Sequence, residues 1–450
     1  MQEHTERLGY APIGKLLVSL SLPSIVGLIT TSLYNIVDTF WVAKLGHEAI
    51  AALTIVFPYQ ILVYSIGGGT GIGIGALVSR RFGENNIEAT NHTAGQIFFL
   101  SVFWGLFFML LTVLFSDSIL SAIGATPDIM DYSTQYLVII ACGAPSIIFI
   151  LVVGNLIRGS GDAMKPMVIM IFACLINVVL DPLMILGIGP FPEMGVRGAA
   201  LATVIAQSCG ALLGLYYFFA RRTTFWIKAG HLKPDMAILR DIYRVGASAM
   251  ILQITESLSF ILFNKVVSSF GSFAIAALGM AMRVSDFAYM PIMGLSNGLL
   301  PVVGFNFGIQ NFKRLWRSVK LATLGLVSLL IIFTIIIELF APQLIGIFSN
   351  EPGFLAATIP TMRIILSSLV LVGPTMLFIT TFQGFSRGTM ALILSLARQF
   401  LLFIPLLYLL SYLFGLYGAW WALPISDFLS FVLTLIFTYR EYRKQKSSLV

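Results

Sequence analysis

The chain of 450 residues is 58% apolar and 13% aromatic, and only 10% of its residues are charged. A soluble domain needs about 25% charged residues to cover its surface, so a chain this depleted presents most of its exterior to lipid, and a soluble globular protein is excluded. The 27 Lys and Arg against 20 Asp and Glu, a formal charge of +7, then need an explanation within a membrane protein.

A bilayer core about 30 Å thick takes about 20 apolar residues per helix. Apolar runs between polar breaks predict spans at 15–43, 48–79, 93–116, 132–157, 166–187 and 198–220, then at 246–269, 273–305, 318–341, 361–385, 389–413 and 418–439. Runs such as Leu321 to Phe340 are apolar on all faces and lack the alternation of barrel strands, so the fold class is an all-α integral membrane protein of twelve helices. Residues 1–220 form a first six-helix lobe, 221–245 a basic linker containing Pro234, and 246–450 a second lobe with a short tail. The first apolar run begins near Gly14 and is too long for the core of a cleavable signal peptide.

Threading the chain through a membrane puts all but six of the 27 Lys and Arg on one side. The exceptions are Lys44, Arg197, Lys265 and Arg363 at or near the other face, and Arg283 and Arg398 inside spans. Cytoplasmic loops hold the basic excess, so both termini are expected in the cytoplasm of a multi-pass cell-membrane protein. The net charge is therefore topological, and nucleic acid is not an expected partner.

Shifted by half its length, the sequence overlies itself. Ala49-Ile-Ala-Ala-Leu53 recurs as Ala274-Ile-Ala-Ala-Leu278, and without gaps Gly46, Tyr64, Gly69, Gly73, Phe82, Gly83 and Asn86 meet Gly271, Tyr289, Gly294, Gly298, Phe307, Gly308 and Asn311. Six spans per repeat bring both copies in from the same side, so an axis along the membrane normal relates them and a central cleft is expected between them.

Ionisable groups inside hydrocarbon are costly, and each is a functional hypothesis. Asp38 and Asp181 fall in the extracytoplasmic half of spans 1 and 5, with no basic residue at helical i±3 or i±4 spacing. Tyr34 precedes Asp38 by one turn, and Asn177 precedes Asp181 by one turn, so phenol and amide share a face with the acids. Such an oxygen-rich cluster binds a proton or sodium, or else serves as hydrogen-bonding glue between helices. Arg283 and Asp286, three residues apart, read as a mutually neutralising pair. Asp427 reads either as a structural partner of Arg398 or as a functional acid. Glu256 breaks the repeat: it aligns with Thr31, while Asp38 aligns with Phe263. With Gln253, Arg283 and Arg398 it makes a polar set in the second lobe, facing a substrate cavity or sitting as a hydrogen-bonded core acid.

Cys142, Cys174 and Cys209 lie in apolar runs and read as packing residues, while His4, His47, His92 and His231 lie in polar segments with no metal-ligand spacing. The glycine run Gly67 to Gly75 lacks the ending of a phosphate loop and reads as a close helix contact. Pro23, Pro182, Pro291 and Pro405 each remove a helix hydrogen bond and permit a kink.

Pro23 followed by Tyr34-Asn-Ile-Val-Asp38, Arg158-Gly-Ser-Gly-Asp162 with Pro166, Asn177-Val-Val-Leu-Asp181-Pro182 and Gly195-Val-Arg-Gly-Ala-Ala-Leu-Ala-Thr203 resemble the multidrug and toxic compound extrusion (MATE) family over nearly the whole chain. The resemblance implies a secondary antiporter, not an enzyme, that exports bulky amphipathic or cationic compounds against inward protons or sodium by alternating access. It implies no cofactor beyond the coupling ion, small-molecule and lipid partners, and a monomer. It places the ion site on Asp38, Asn177, Asp181 and Thr203, which would also be the ligands if the ion is sodium, with Tyr34 and Asn155 in support and Pro23 as a hinge. The tenth span, Gly373-Pro-Thr-Met-Leu-Phe-Ile-Thr-Thr-Phe-Gln383, lacks the acid of one branch of the family, so the chain resembles the branch related to DNA-damage-inducible transporters. A flippase for lipid-linked saccharides or other lipids of the same superfamily is the alternative, and several cavity arginines would be its mark.

Overall fold

The structure, a computed structural model, describes residues 2–346 and 352–447, and of these all side chains but those of residues 2–5, 47, 272, 352 and 447. After the short α1 (Gln2–Tyr10), the first repeat runs through α2 (Ile13–Ala43), α3 (His47–Gly83), α4 (Ile87–Ile123), α5 (Pro127–Cys142), α6 (Ala144–Gly159), α7 (Met164–Leu186) and α8 (Val196–Phe219). The second runs through α9 (Met236–Ser268), α10 (Ser272–Gly308), α11 (Phe312–Gly346), α12 (Pro352–Ser367), α13 (Leu369–Gly384), α14 (Gly388–Leu396) and α15 (Ile404–Ser447). The helices α5 and α6 form one span bent by 49° at Gly143.

Between α14 and α15 the chain makes a π turn (Ala397–Phe403), and Pro405, which lacks a donor, follows immediately. Pro23, Pro182 and Pro291 lie inside helices that run on through them. Arg398 and Asp427 are 29 residues apart yet hydrogen-bond at 2.9 Å. A continuous helix would separate them by about 43 Å, so the chain doubles back. It does so at Gly415, whose φ of 61° and ψ of −142° suit a residue without Cβ. The last helical stretch is therefore two spans, and the crossings number twelve, six per repeat.

Local signals set most boundaries. The Asn86 side chain accepts from the Ala89 N–H at the start of α4, and Asp235 accepts from the N–H groups of Ala237 and Ile238 at the start of α9. After that second cap α9 begins at Met236, so the final part of the 221–245 segment is helical. The lobe boundaries at 220 and 246 also blur in packing. Leu16, Leu17 and Leu20 of α2 belong to the core of the second lobe, and Ile238, Leu239 and Ile242 of α9 to that of the first.

The glycines shared by the two repeats form the seam between lobes. A Cβ on Gly69 would collide with Met250 and the Gly246 carbonyl of α9, and one on Gly294 would collide with Ile25 of α2. Gly73 lies against Ile242 and Gly246, and Gly298 against Ser21, while Gly83 and Gly308 meet each other across the pseudo-axis. Each contact of one repeat has its counterpart in the other at the same offset. Further along the same faces, Ile29 and Leu33 of α2 are 42% and 57% exposed, and their equivalents Ile254 and Leu258 of α9 are 44% and 40% exposed. The lobes touch at the end bearing Gly83 and Gly308 and part toward the other end, opening the central cleft. The Gly67 to Gly75 run packs α3 on α6, with Gly71 on Asn155 and Gly75 on Gly159.

Gly73→Val and Gly298→Val are expected to cost about 1–3 kcal/mol each, because close-packed backbone cannot take up the added volume. Gly279→Ala, with nothing within 4 Å of its Cβ, serves as the silent control. Unfolding midpoints in detergent check this, and equal midpoints for all three would refute the seam.

Candidate functional site

Three helices of the first lobe converge on the predicted acids. On α7, Asn177 and Asp181 are one turn apart, and the Asn177 Nδ2 donates to Asp181 Oδ1 at 3.0 Å and to Thr203 Oγ1 of α8 at 3.3 Å. The helix α2 lies along α7: a Cβ on Gly27 would touch Met170 Sδ at 3.1 Å, and Cys174 Sγ donates to the Thr30 carbonyl at 3.5 Å. Two turns further in this register Asp38 comes level with Asp181, and the two carboxylates interact electrostatically. Tyr34, one turn before Asp38, faces Thr203. The structure thus brings together Asp38, Asp181, Asn177, Thr203 and Tyr34.

This cluster lacks partners for its oxygens. Asp38 is 7% and Asp181 0% exposed, and neither takes part in an ion pair among the described residues. Asp38 Oδ1, Asp181 Oδ2 and Asn177 Oδ1 are buried with no hydrogen-bond donor. A buried carboxylate without a counter-ion is costly, and a proton or a small hard cation relieves that cost.

Beside it lies a cavity of about 270 Å³, lined at one end by Tyr34, Tyr64, Asn177 and Thr203 and at the other by Arg158 and Pro166. Asn177 is about 16 Å along α7 from Pro166, which sets the length of the chamber. Gln207, one turn after Thr203, and Asn297 from α10 of the other lobe complete its polar lining. Sequence reasoning had not assigned Arg158, Gln207, Tyr64 or Asn297 to this site. The signal for Gln207 was its i+4 spacing from Thr203, and for Tyr64 its identity with Tyr289 in the repeat.

Other expected site residues lie elsewhere. Asn155 donates to its own helix at Leu151 O (2.9 Å), packs on Gly71 and makes no hydrogen bond to the acid cluster. The buried Pro23 sits nearly three turns from the N-terminal end of α2, beside a groove shared with Lys15 and Asp162.

In the second lobe a cavity of about 330 Å³ is lined by Glu256, Asp286, Tyr289, Arg398, Gln399 and Asp427 among others, so Tyr64 and Tyr289 hold equivalent places. Gln253 and Arg283 are exposed and do not line it. The expected Arg283 and Asp286 ion pair is absent among the described residues: both residues are exposed on α10, Asp286 at the cavity and Arg283 outside its lining, so the separation costs little. Asp427 instead pairs with Arg398 at 2.9 Å and accepts from Ser368 Oγ at 2.8 Å, at the break between α12 and α13. In place of Asp38, Phe263 stacks edge-on between Phe403 and Trp420. The two lobes therefore differ: among the described residues, the first buries Asp38 and Asp181 with no cation beside them, while the second holds the pair of Arg398 and Asp427 next to Glu256 and Asp286, which form no ion pair.

Among the described residues no group of three His, Cys, Asp or Glu could hold a metal ion, and the side chains of His4 and His47 lie outside them.

Asp427→Leu would leave Arg398 buried without its counter-ion, and is expected to destabilise by about 3–5 kcal/mol. Arg398→Met combined with Asp427→Leu should recover most of that loss. Unfolding midpoints of the two variants decide it, and a single variant as stable as wild type would show that the pair is not structural.

The MatE family model matches residues 23–183 and again 249–409, one copy in each repeat. The multidrug export protein MepA of Staphylococcus haemolyticus is 26% identical over 428 residues, covering 95% of this chain and 93% of that protein. MepA of Staphylococcus aureus strain N315 is 26% identical over 430 residues, covering 95% and 94%. Crystal structures of a MATE protein in bent and in straight conformations superpose with TM-scores of 0.93 and 0.92 at 27% identity, over 98% or more of each chain. A transporter of the MOP superfamily from Pyrococcus furiosus, described as having a binding pocket of reversed polarity, superposes at 0.91 with 27% identity over 98% of each chain. Two matched repeats, twelve crossings around a cleft and full-length superposition establish that the chain is a membrane transporter belonging to the MatE family.

Proposed function

We propose that this transporter exports bulky amphipathic, often cationic, compounds in exchange for protons or sodium that enter at Asp38 and Asp181. The observation that carries the reading is the trio of orphaned oxygens on Asp38, Asp181 and Asn177, buried in one lobe with no counter-ion. The names of the staphylococcal relatives support the substrate class. For sodium, two carboxylates, an amide oxygen and the Thr203 hydroxyl supply hard oxygen ligands. For a proton, the same acids are the acceptors.

Coupling needs ion and substrate to prefer different states of the same machine. Neutralising Asp38 removes the like-charge repulsion between it and Asp181 across α2 and α7, and α2 also forms part of the seam through Ser21 and Ile25. A change at Asp38 thus reaches both the cavity wall at Tyr34 and the contact about which the lobes move. The basic end, with Gly83 and Gly308, is the cytoplasmic end in this reading, so the cleft opens outward. The sparse arginine content weighs against the lipid flippase: Arg158 is the one cation lining the first cavity, and Arg398 in the second is held by Asp427.

Reconstituted protein should drive substrate flux under an imposed proton or sodium gradient, and flux indifferent to both would defeat the antiport. Asp38→Asn and Asp181→Asn should each reduce concentrative export to the level of protein-free liposomes while expression stays near normal, because an amide keeps the shape but cannot release a proton or offer full charge to sodium. Equilibrium binding of a fluorescent organic cation should depend on pH or sodium in wild type and lose that dependence in Asp38→Asn. Affinity independent of both ions in wild type would sink the mechanism. Labelling of single cysteines placed in 221–235 from the cytoplasmic side only is the expected topology.

A further inference from the structure

At the basic end of the second lobe, remote from both cavities described above, α11 and α15 enclose an open groove of about 820 Å³. Lys313, Arg317 and Lys320 fall at i, i+4 and i+7 on one face of α11, and Tyr439, Tyr442 and Lys446 at i, i+3 and i+7 on the facing side of α15. Lys313, Arg317, Lys320 and Lys446 form no ion pair within 4.0 Å among the described residues. Glu441, the nearby acid, is engaged by Arg387 at 2.5 Å and by the Gln445 amide at 2.9 Å. The groove therefore carries a concentrated positive charge that no acid among the described residues answers with an ion pair.

Below the cations the lining becomes aromatic, then apolar. Trp316 is fixed by donating Nε1–H to Gln445 Oε1 at 2.9 Å and by an edge contact with Tyr442 at 5.5 Å. Leu324, Phe378 and Leu435 follow further along the groove. Two hydroxyls in its wall, Thr323 Oγ1 and Thr438 Oγ1, are buried with no hydrogen-bond partner, and Thr438 as a residue is only 5% exposed. An anion at the mouth, ester oxygens at the unpaired hydroxyls and hydrocarbon at the leucines satisfy each zone in turn. That sequence is the profile of a phospholipid, and anionic lipids favour the leaflet next to basic segments.

We propose that the groove between α11 and α15 is a binding site for an anionic phospholipid, whose phosphate sits among Lys313, Arg317, Lys320 and Lys446 and whose glycerol esters reach Thr323 and Thr438. A basic surface needed only for topology would require no groove lined in turn by cations, aromatic rings and hydrocarbon.

The test uses the full chain in phosphatidylcholine nanodiscs containing phosphatidylglycerol with a nitroxide high on its acyl chain. Trp316 emission is taken as the difference between wild type and Trp316→Phe. Labelled phosphatidylglycerol should quench Trp316 more than equally labelled phosphatidylcholine at the same mole fraction. Lys313→Gln, Arg317→Gln, Lys320→Gln and Lys446→Gln should each weaken that preference by about fivefold, the factor for one basic residue beside an anionic surface. Thr438→Val, which keeps the charge and the shape, should weaken it a further few-fold on its own. Neutralising Lys228, Lys233, Arg240 and Arg244, exposed cations outside the groove, should leave it unchanged. Equal quenching by the two lipids in wild type overturns the proposal. So does a preference that survives the groove variants, or one that the outside variant reduces as much, which would assign it to the field of the whole basic end.

Discussion

The architecture rests on backbone packed against backbone at a seam of glycines. Gly69 and Gly73 of α3 admit α9, Gly294 and Gly298 of α10 admit α2, and Gly83 touches Gly308 on the axis between them. In lipid, apolar side chains gain nothing by leaving hydrocarbon for one another, so helices associate through close van der Waals fit, which small residues allow. The seam holds the lobes together at one end only. Beyond it the two lobes part, and Ile29, Leu33, Ile254 and Leu258 stand exposed along the cleft.

That arrangement ties the buried acid cluster to the cleft through α2. Its inner end packs in the core of the opposite lobe through Leu16, Leu17 and Leu20, its middle carries the Ser21 and Ile25 contacts, and its outer end presents Tyr34 and Asp38 to α7 and α8. One helix thus spans both lobes' packing and the buried acid. The second lobe has the same helices and lacks the same chemistry. Phe263 fills the place of Asp38, and the acid that is buried, Asp427, is satisfied by Arg398 and Ser368. A duplicated scaffold has become asymmetric: among the described residues, the first lobe buries two acids with no cation beside them, and the second uses Asp427 with Arg398 to hold helices together while Glu256 and Asp286 line the same cavity without an ion pair.

The amino-acid sequence by itself determined the membrane class, the twelve crossings, the duplication and the identity of the unpaired acids. These follow from composition, from the length of apolar runs and from spacing along single helices, all of which act locally. Helical i+4 spacing placed Asn177 under Asp181 and Tyr34 under Asp38, and the structure keeps both pairs on a common face. Identical glycines at half-length offset marked the duplication, and the structure places them at the seam.

Tertiary structure alone decided which helices meet. No local spacing joins Thr203 to Asn177, sets Asp38 level with Asp181, or brings Asn297 into the cavity of the opposite lobe, because these depend on the register of α2, α7, α8 and α10. The same holds for Arg398, which finds Asp427 only because the chain reverses at Gly415, and for Arg283, which leaves Asp286 unpaired although the two are three residues apart on one helix. Asn155 shows the limit most plainly: its side chain bonds within α6 and packs on Gly71, since the neighbour a residue meets across a helix interface is fixed by packing and not by its place in a motif.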